Sequence, residues 1–249
     1  MRPKDTTEFV ACERFDVQAF NSLKQDGIMV AGSPPPAQTM FCEYVGIGNK
    51  YFIRKCYKHL EWLDGDVINF DGTQEPIYRR LLPPPPETVN HTFIIKYIIE
   101  NTAGHLEKTY IEYGVRSGEN LATMVPVVGK AIGVDICYPP CAPTYEFHLS
   151  TTDDFSATKL PTLAYHFAFI DADHKFESCI RDFDNIYKYL QSGGYVFLHD
   201  TYPCAEVFLE PHMCNDCYKT PIAIKEKYPD IEILTLPLNP GLTIVRKGL

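Results

Sequence analysis

The 249-residue chain is 45% hydrophobic and 22% charged, enough to bury the core of one ordinary globular domain or of a domain with an appendage. Its 23 Lys+Arg against 32 Asp+Glu give a formal charge of −9, which disfavours a polyanionic partner and sets nucleic acid aside. No apolar run approaches the roughly 20 residues that cross a bilayer, and the opening Met1-Arg2-Pro3-Lys4-Asp5 leads into no apolar segment, so a cytoplasmic protein without membrane contact is expected.

Residues 1–87 read as a small irregular, partly β, α+β-type extension. Strand-like pieces occur at 44–45 and 51–53, and turn signals at Asp64-Gly65 and Asp71-Gly72 flank 67–70. The four prolines at 83–86 can neither donate to a ladder nor continue a helix, and they close the extension as a linker. Packing, contact within a homo-oligomer, or a wall over a substrate site are the roles open to such a piece. Residues 88–249 then alternate between helix and strand. Phe93, Ile94, Tyr97 and Ile98 lie at helical spacing in 89–100, and 110–113 reads as a short buried strand. A helix is expected over 119–128, strands over 131–134, 145–149 and 165–170, a long amphipathic helix over 176–190 stopped at Gly193-Gly194, and a strand over 195–198. The last two strands, 231–236 and 242–245, are joined only by Pro237-Leu238-Asn239-Pro240-Gly241, a connection that permits only an antiparallel pair. The pattern is α/β: a mostly parallel sheet covered on both faces.

In an open parallel sheet, ligands bind beyond the carboxyl ends of the strands. The residues there are unusually polar. Glu112-Tyr113-Gly114-Val115-Arg116-Ser117-Gly118 follows the first strand, and its glycines let backbone approach a ligand closely. Asp135 ends the second strand, at the distance from Glu112 at which one βαβ unit brings a carboxylate to a ribose diol. Asp153 and Asp154 follow the third, Asp171, Asp173 and His174 the fourth, and His199 and Asp200 the fifth. A single carboxylate after a strand reads equally well as a helix N-cap; acids at consecutive strand ends are harder to assign to caps alone.

Glu112 to Gly118 followed by Gly133-Val134-Asp135 resembles the first two motifs of class I S-adenosylmethionine (SAM) dependent methyltransferases, and the terminal hairpin is similar to their last two strands. Phe169-Ile170-Asp171-Ala172-Asp173-His174, with Gly193-Gly194-Tyr195-Val196-Phe197-Leu198-His199-Asp200-Thr201, resembles the macrocin and mycinamicin O-methyltransferase and cephalosporin-hydroxylase-like branch, whose members often methylate sugar hydroxyls. The resemblance implies a Rossmann-like sheet of seven strands and a SAM site. There Gly114, Ser117 and Gly118 face the methionine part, with Glu112 near its amino group or the loop that holds it. Asp135 takes the ribose hydroxyls and Asp154 accepts from the adenine amine, unless Asp154 is an N-cap. The resemblance also implies a divalent cation, Mg²⁺ or Mn²⁺, on Asp171, His199 and Asp200, with His174 as general base and Asp171 counted among both the catalytic and the SAM-binding residues. His199 stands where the macrolide enzymes carry a carboxylate, and imidazole is a softer donor than Mg²⁺ prefers, so the expectation moves toward Mn²⁺.

The activity expected is methyl transfer from SAM to a hydroxyl of a sugar or related small molecule. The alternatives are a SAM-binding scaffold without catalysis and a methyltransferase acting on nitrogen of nucleic acid or protein. No Asn/Asp-Pro-Pro-Tyr stretch follows the fourth strand, which counts against base-amino methylation. Acceptor choice is expected to lie in residues 1–87 and about 202–220, with Tyr113, Tyr138, Tyr202 and Trp62 as candidate aromatic contacts. Nine cysteines, an odd number, fit reduced thiols better than a disulfide framework. Cys214 and Cys217 beside His212 have the spacing of half a zinc site without a recognisable fourth ligand.

Overall fold

Burial alternates along the central strands and fixes the layers. Phe167, Phe169, Tyr195 and Phe197 point to one face of the sheet, while Ala168, Ile170, Val196 and Leu198 point to the other, and all are buried. Period-two alternation with both faces apolar requires a cover on each side. The computed structural model describes residues 7–12, 14, 23–33, 35, 42–47, 49–55, 91–140, 143–203, 206–238 and 240–248. The expected turns around 67–70, the prolines at 83–86 and Trp62 lie outside them.

The strands are β1 (Thr7–Cys12), β2 (Leu23–Ala31), β3 (Cys42–Ile47), β4 (Lys50–Lys55), β5 (Thr109–Tyr113), β6 (Lys130–Asp135), β7 (Glu146–Leu149), β8 (Phe167–Ile170), β9 (Tyr195–His199), β10 (Glu232–Leu236) and β11 (Leu242–Arg246). The helices are α1 (His91–Glu100), α2 (Glu119–Met124), α3 (Thr152–Thr158), α4 (Phe176–Tyr189) and α5 (Thr220–Lys227). Together the strands form one sheet in the order β1-β2-β4-β3-β10-β11-β9-β8-β5-β6-β7. From β5 to β9 neighbouring strands are parallel, and β11 runs antiparallel to both β9 and β10. The order reverses at β5, which lies between β6 and β8; that reversal opens a crevice at the carboxyl ends of the strands.

Ile95, Ile98 and Ile99 of α1 with Leu121 and Met124 of α2 cover one face. Phe155 of α3, Phe183 and Ile186 of α4 and Ile224 of α5 cover the other. Each such side chain contributes about 1.5–3 kcal/mol on full burial, so the two layers are the main source of stability. The helix expected over 119–128 stops at Met124 and tightens into a 3₁₀ turn at Val125–Val127, because Pro126 has no N–H to continue the α-helical ladder.

The seven-strand sheet is present and is extended. Strand β3 pairs with the edge strand β10, Gly46 N donates to Glu232 Oε2 at 2.9 Å, and the Tyr195 hydroxyl donates to the Gly46 carbonyl at 2.6 Å. The described part of the N-terminal segment thereby covers an edge that would otherwise present unpaired backbone groups. Among the described residues no helix is long and apolar enough to cross a membrane.

Candidate active site

Two adjoining cavities open where β5, β6, β7, β8 and β9 end. One, of about 320 Å³, is bounded by Asp135, Ile136, Thr151, Asp153 and Arg181; the other, of about 620 Å³, by Arg116, Asp171, His174, His199, Asp200 and Met213. Gly114, Asp135, Ile136 and Ala172 line both, so the two form a continuous groove. Gly114 has φ +83, and a Cβ there would lie 2.1 Å from the Asp171 carbonyl oxygen. Only glycine lets the turn after β5 press against the end of β8.

At the first end of the groove, backbone groups hold the acid. Asp135 Oδ2 accepts from the N–H groups of Val115 and Arg116 at 2.8 and 2.9 Å, and Oδ1 accepts from Cys137 N–H at 2.9 Å. A carboxylate has about four lone-pair sites, so it retains acceptor capacity toward the cavity. Asp153 lines the cavity and pairs with Arg181 Nε at 2.8 Å. Asp154 instead accepts from the Thr151 hydroxyl at 2.8 Å, while its own N–H donates to Thr151 Oγ1 at 3.1 Å; it closes the cap of α3 and does not border either cavity. Glu112 is fully buried, outside both cavities, accepting from the Tyr110 hydroxyl at 2.7 Å and Asn120 Nδ2 at 2.5 Å. Burial outweighs these bonds and pushes its carboxyl up to about 8. Gly118 starts α2 with φ +82, and Ser117 is exposed on the loop before it. Neither borders the cavities.

At the second end, side chains hold one another. His174 Nε2 lies 3.4 Å from Asp171 Oδ1 and 3.1 Å from Asp200 Oδ2. His199 Nδ1 lies 3.1 Å from Asp171 Oδ1 and 3.4 Å from Asp200 Oδ1. His174 Nδ1 contacts the Met213 carbonyl, and because a carbonyl only accepts, Nδ1 carries the proton and Nε2 faces the acids. Asp200 is 5% exposed and adopts φ 60, a left-handed conformation that a non-glycine residue holds at a cost and that is concentrated at functional sites.

The charges are mutually dependent. The hydrogen bond with Asp171, against the opposing effect of burial and with help from Asp200, raises the His174 imidazole to about 9. Burial also opposes charge on His199, but Asp171 and Asp200 override it and raise that imidazole. Burial of Asp171 is in turn outweighed by the two histidines, which hold its carboxyl low. In this arrangement both histidines keep their protons at neutral pH. His91, stacked on Phe169 and edge-on to His199 with centroids 5.5 and 4.3 Å apart, is lowered to about 4 by burial and by the His199 charge, and it stays neutral.

Segment 206–219 covers this end. Phe176 N–H donates to Asp216 Oδ1 at 2.8 Å, Cys214 Sγ lies 3.5 Å from Asp200 Oδ1, and Cys217 Sγ lies 3.0 Å from Cys179 Sγ. Cys214 and Cys217 turn to different partners. Among the described residues, Asp171, His174 and Asp200 are the group of three placed to hold an ion. The structure thus brings together four residues that the sequence proposed, Asp171, His174, His199 and Asp200, and adds the Met213 carbonyl, Arg181 and Ile136, which it did not. Tyr113 and Tyr202 are buried, Tyr113 against the Ser156 hydroxyl at 2.7 Å, and Tyr138 is exposed beside Phe147.

Residues 111–201 match the family model described as a methyltransferase domain. An uncharacterized protein of Acanthamoeba polyphaga mimivirus is 30% identical over 130 residues, 42% of this chain and 58% of that protein. The chain thus spans less than two thirds of this relative's length. Solved structures similar to it include a Corynebacterium glutamicum protein (19% identity, TM-score 0.49, 68% of this chain and 84% of that one). The O-methyltransferase TomG of Streptomyces achromogenes, in complex with SAM, is 13% identical with TM-score 0.47, covering 66% of this chain and 83% of that one. An O-methyltransferase from Bacillus cereus, in complex with S-adenosylhomocysteine (SAH), is 12% identical with TM-score 0.45, covering 66% and 84%. Counted from β5 as the first strand, the sheet order β7-β6-β5-β8-β9-β11-β10 with β11 reversed, taken with the matched domain model, makes the fold that of an α/β, Rossmann-like methyltransferase.

Proposed function

We propose that the groove binds SAM and transfers its methyl group to a hydroxyl of a sugar or related small molecule, as in the sugar-methylating branch that the sequence resembles. The observation that carries this reading is the pairing, in one continuous groove, of a backbone-held carboxylate at Asp135 with the Asp171, His174, His199 and Asp200 cluster. Asp135 keeps acceptor capacity for the ribose diol. Thr151 and Asp153, rather than Asp154, border the space for the adenine edge, under the exposed side chain of Ile136. Gly114 admits the sulfonium end close to the backbone, and Arg116 offers a guanidinium to the methionine carboxylate. The acceptor enters beside Met213 and the acidic cluster, where about 620 Å³ of cavity accommodates it with the methionine end. Residues 1–87 are an extension of this unit and 88–249 the catalytic domain; the acceptor is a small molecule, not a nucleic acid.

The donors at the cluster fit a divalent cation: carboxylate oxygens and an imidazole nitrogen converge, with Asp200 held in a costly backbone conformation. When bound, SAM supplies the activated methyl and the cation lowers the pKa of an acceptor hydroxyl. His174 donates Nδ1–H to the Met213 carbonyl and turns Nε2 to the same two carboxylates, so it is counted with the donors of the cluster rather than as a separate base.

Calorimetry with SAM and SAH on wild type and Asp135→Ala tests the reading, followed by methyl transfer to a panel of sugars. Wild-type binding weakened by about 10–150-fold in the variant is expected, the worth of charge-assisted hydrogen bonds of about 1.5–3 kcal/mol. Absence of binding to the wild type would overturn the proposal.

A further inference from the structure

We infer that Asp171, His174 and Asp200 are the direct ligands of a divalent first-row transition ion, and that His199 is an outer partner that orients the two carboxylates. This departs from the ligand set implied by resemblance, in which His199 is a ligand and His174 a base, and it rests on the reading of the groove as a methyl-transfer site. The geometry of the three donors carries it. Their ligand atoms all lie within 4.8 Å of one another, with His174 Nε2 at 3.4 Å from Asp171 Oδ1 and 3.1 Å from Asp200 Oδ2. Donors about 2.0–2.2 Å from one ion stand roughly 3.0–3.5 Å apart along a tetrahedral or octahedral edge, so this spacing suits a shared ion; His199 Nδ1 stands at 3.1 and 3.4 Å from the same acids, and what sets the two histidines apart is their surroundings, not these distances.

The surroundings of the two histidines differ in the way direct and outer ligands differ. His174 uses Nδ1–H on the Met213 carbonyl, leaving Nε2 to face the acids, the arrangement that fixes tautomer and ring orientation in a metal-bound histidine. His199 instead reaches both carboxylates with the same nitrogen, Nδ1, from a packed position between His91 and Phe169. A ring that donates to two carboxylates aims them and leaves the ion to the third donor. An imidazole in the direct set favours Mn²⁺, Fe²⁺, Co²⁺ or Zn²⁺ over Mg²⁺, which takes oxygen donors and gives up its waters reluctantly.

The test uses full-length protein stripped with a chelator and titrated with Mn²⁺ and Mg²⁺ by calorimetry, with pulsed EPR on the Mn²⁺ form. Wild type is expected to bind one Mn²⁺ at least about 10-fold more tightly than Mg²⁺, with ¹⁴N coupling from one directly bound imidazole. His174→Ala should abolish the coupling and weaken Mn²⁺ by more than 100-fold. His199→Ala should keep the coupling and weaken Mn²⁺ by about 10–100-fold, the usual loss for an outer-shell partner. His174→Asp, which keeps a donor of similar reach, should bind an ion without ¹⁴N coupling and narrow the preference over Mg²⁺; circular dichroism verifies that each variant is folded. Coupling that survives His174→Ala, coupling lost in His199→Ala, or wild type that binds no stoichiometric ion would each overturn the assignment. SAM calorimetry on the same stripped protein separates the two readings: SAM binding without ion binding sinks only the ion site, while loss of SAM binding sinks the methyl-transfer reading.

Discussion

The two ends of the groove solve the same problem, holding acids at strand ends, by opposite means. At the first end Asp135, the last residue of β6, is fixed by three backbone N–H groups, and Glu112, buried within β5 outside the groove, by a hydroxyl and an amide. Beyond β8 and β9, Asp171 and Asp200 are fixed by two imidazoles. Backbone N–H groups do not titrate, so the part of the first end around Asp135 is a constant template suited to a neutral, multi-hydroxyl ligand. The imidazoles are raised by the acids that they hold, so the second end is a set of mutually dependent charges. The electrostatic consequence is visible in one buried and one half-buried acid of neighbouring strands: burial raises Glu112, while histidine partners hold Asp171 low against its own desolvation.

Gly114 is where the two ends meet, and Gly114→Ala should give the largest effect. The new Cβ would lie 2.1 Å from the Asp171 carbonyl oxygen at φ +83. Overpacking costs about 1–3 kcal/mol and a left-handed non-glycine residue about 1–2 kcal/mol more. Urea denaturation should report a loss in the sum of those ranges, and calorimetry should show SAM and Mn²⁺ affinity falling together. If only one of the two affinities fell, the ends would be structurally independent and the comparison would break.

The sheet was legible where strands are short apolar runs between turns. Residues of β8 and β9 declare themselves because parallel strands are buried on both faces. Strand β2 does not, since Asp26-Gly27 has the composition of a hairpin turn yet lies inside the strand. Its pairing with β1 shifts register between Thr7 and Phe9, an irregularity that side-chain patterning does not encode. At the site, the acids and histidines were legible from their position after strands. The Met213 carbonyl was not, because a backbone oxygen has no residue signature and is brought in from 39 positions away. The choice between Asp153 and Asp154 turns on the phase of one helix, which spacing alone leaves open.

Glu112 sharpens the claim that the first end is built from neutral partners. Its folded carboxyl titrates near 8 against an ordinary value of 4.5, so the folded protein holds a proton that the unfolded chain has released. The stability associated with that proton is complete below pH 4.5 and is lost as pH rises toward 8. In that window the slope is bounded by about 1.4 kcal/mol per pH unit. Glu112→Gln keeps an acceptor for Tyr110 and removes the titration, so its stability from urea curves between about pH 5 and pH 8 should decline less steeply than that of wild type, by up to that bound. Parallel declines would mean that Glu112 is ionised in the folded state and that the two ends are electrostatically alike.

The smallest effect separates neighbouring acids. Asp154 bonds the Thr151 hydroxyl within the cap of α3, so Asp154→Ala should cost about 0.5–2 kcal/mol of stability, as loss of a helix cap does, and leave SAM affinity unchanged. Asp153 makes an exposed pair with Arg181 and borders the smaller cavity. Exposed pairs contribute about 0–1 kcal/mol, so Asp153→Ala should leave stability nearly intact and weaken SAM by about 10-fold, the worth of one hydrogen bond of about 1.4 kcal/mol. Calorimetry and urea denaturation on both variants therefore report opposite patterns. If Asp154→Ala were the variant that lost SAM, its carboxylate would have to leave Thr151 and swing into the groove on binding, and the template at this end would be assembled by its ligand rather than fixed by the fold.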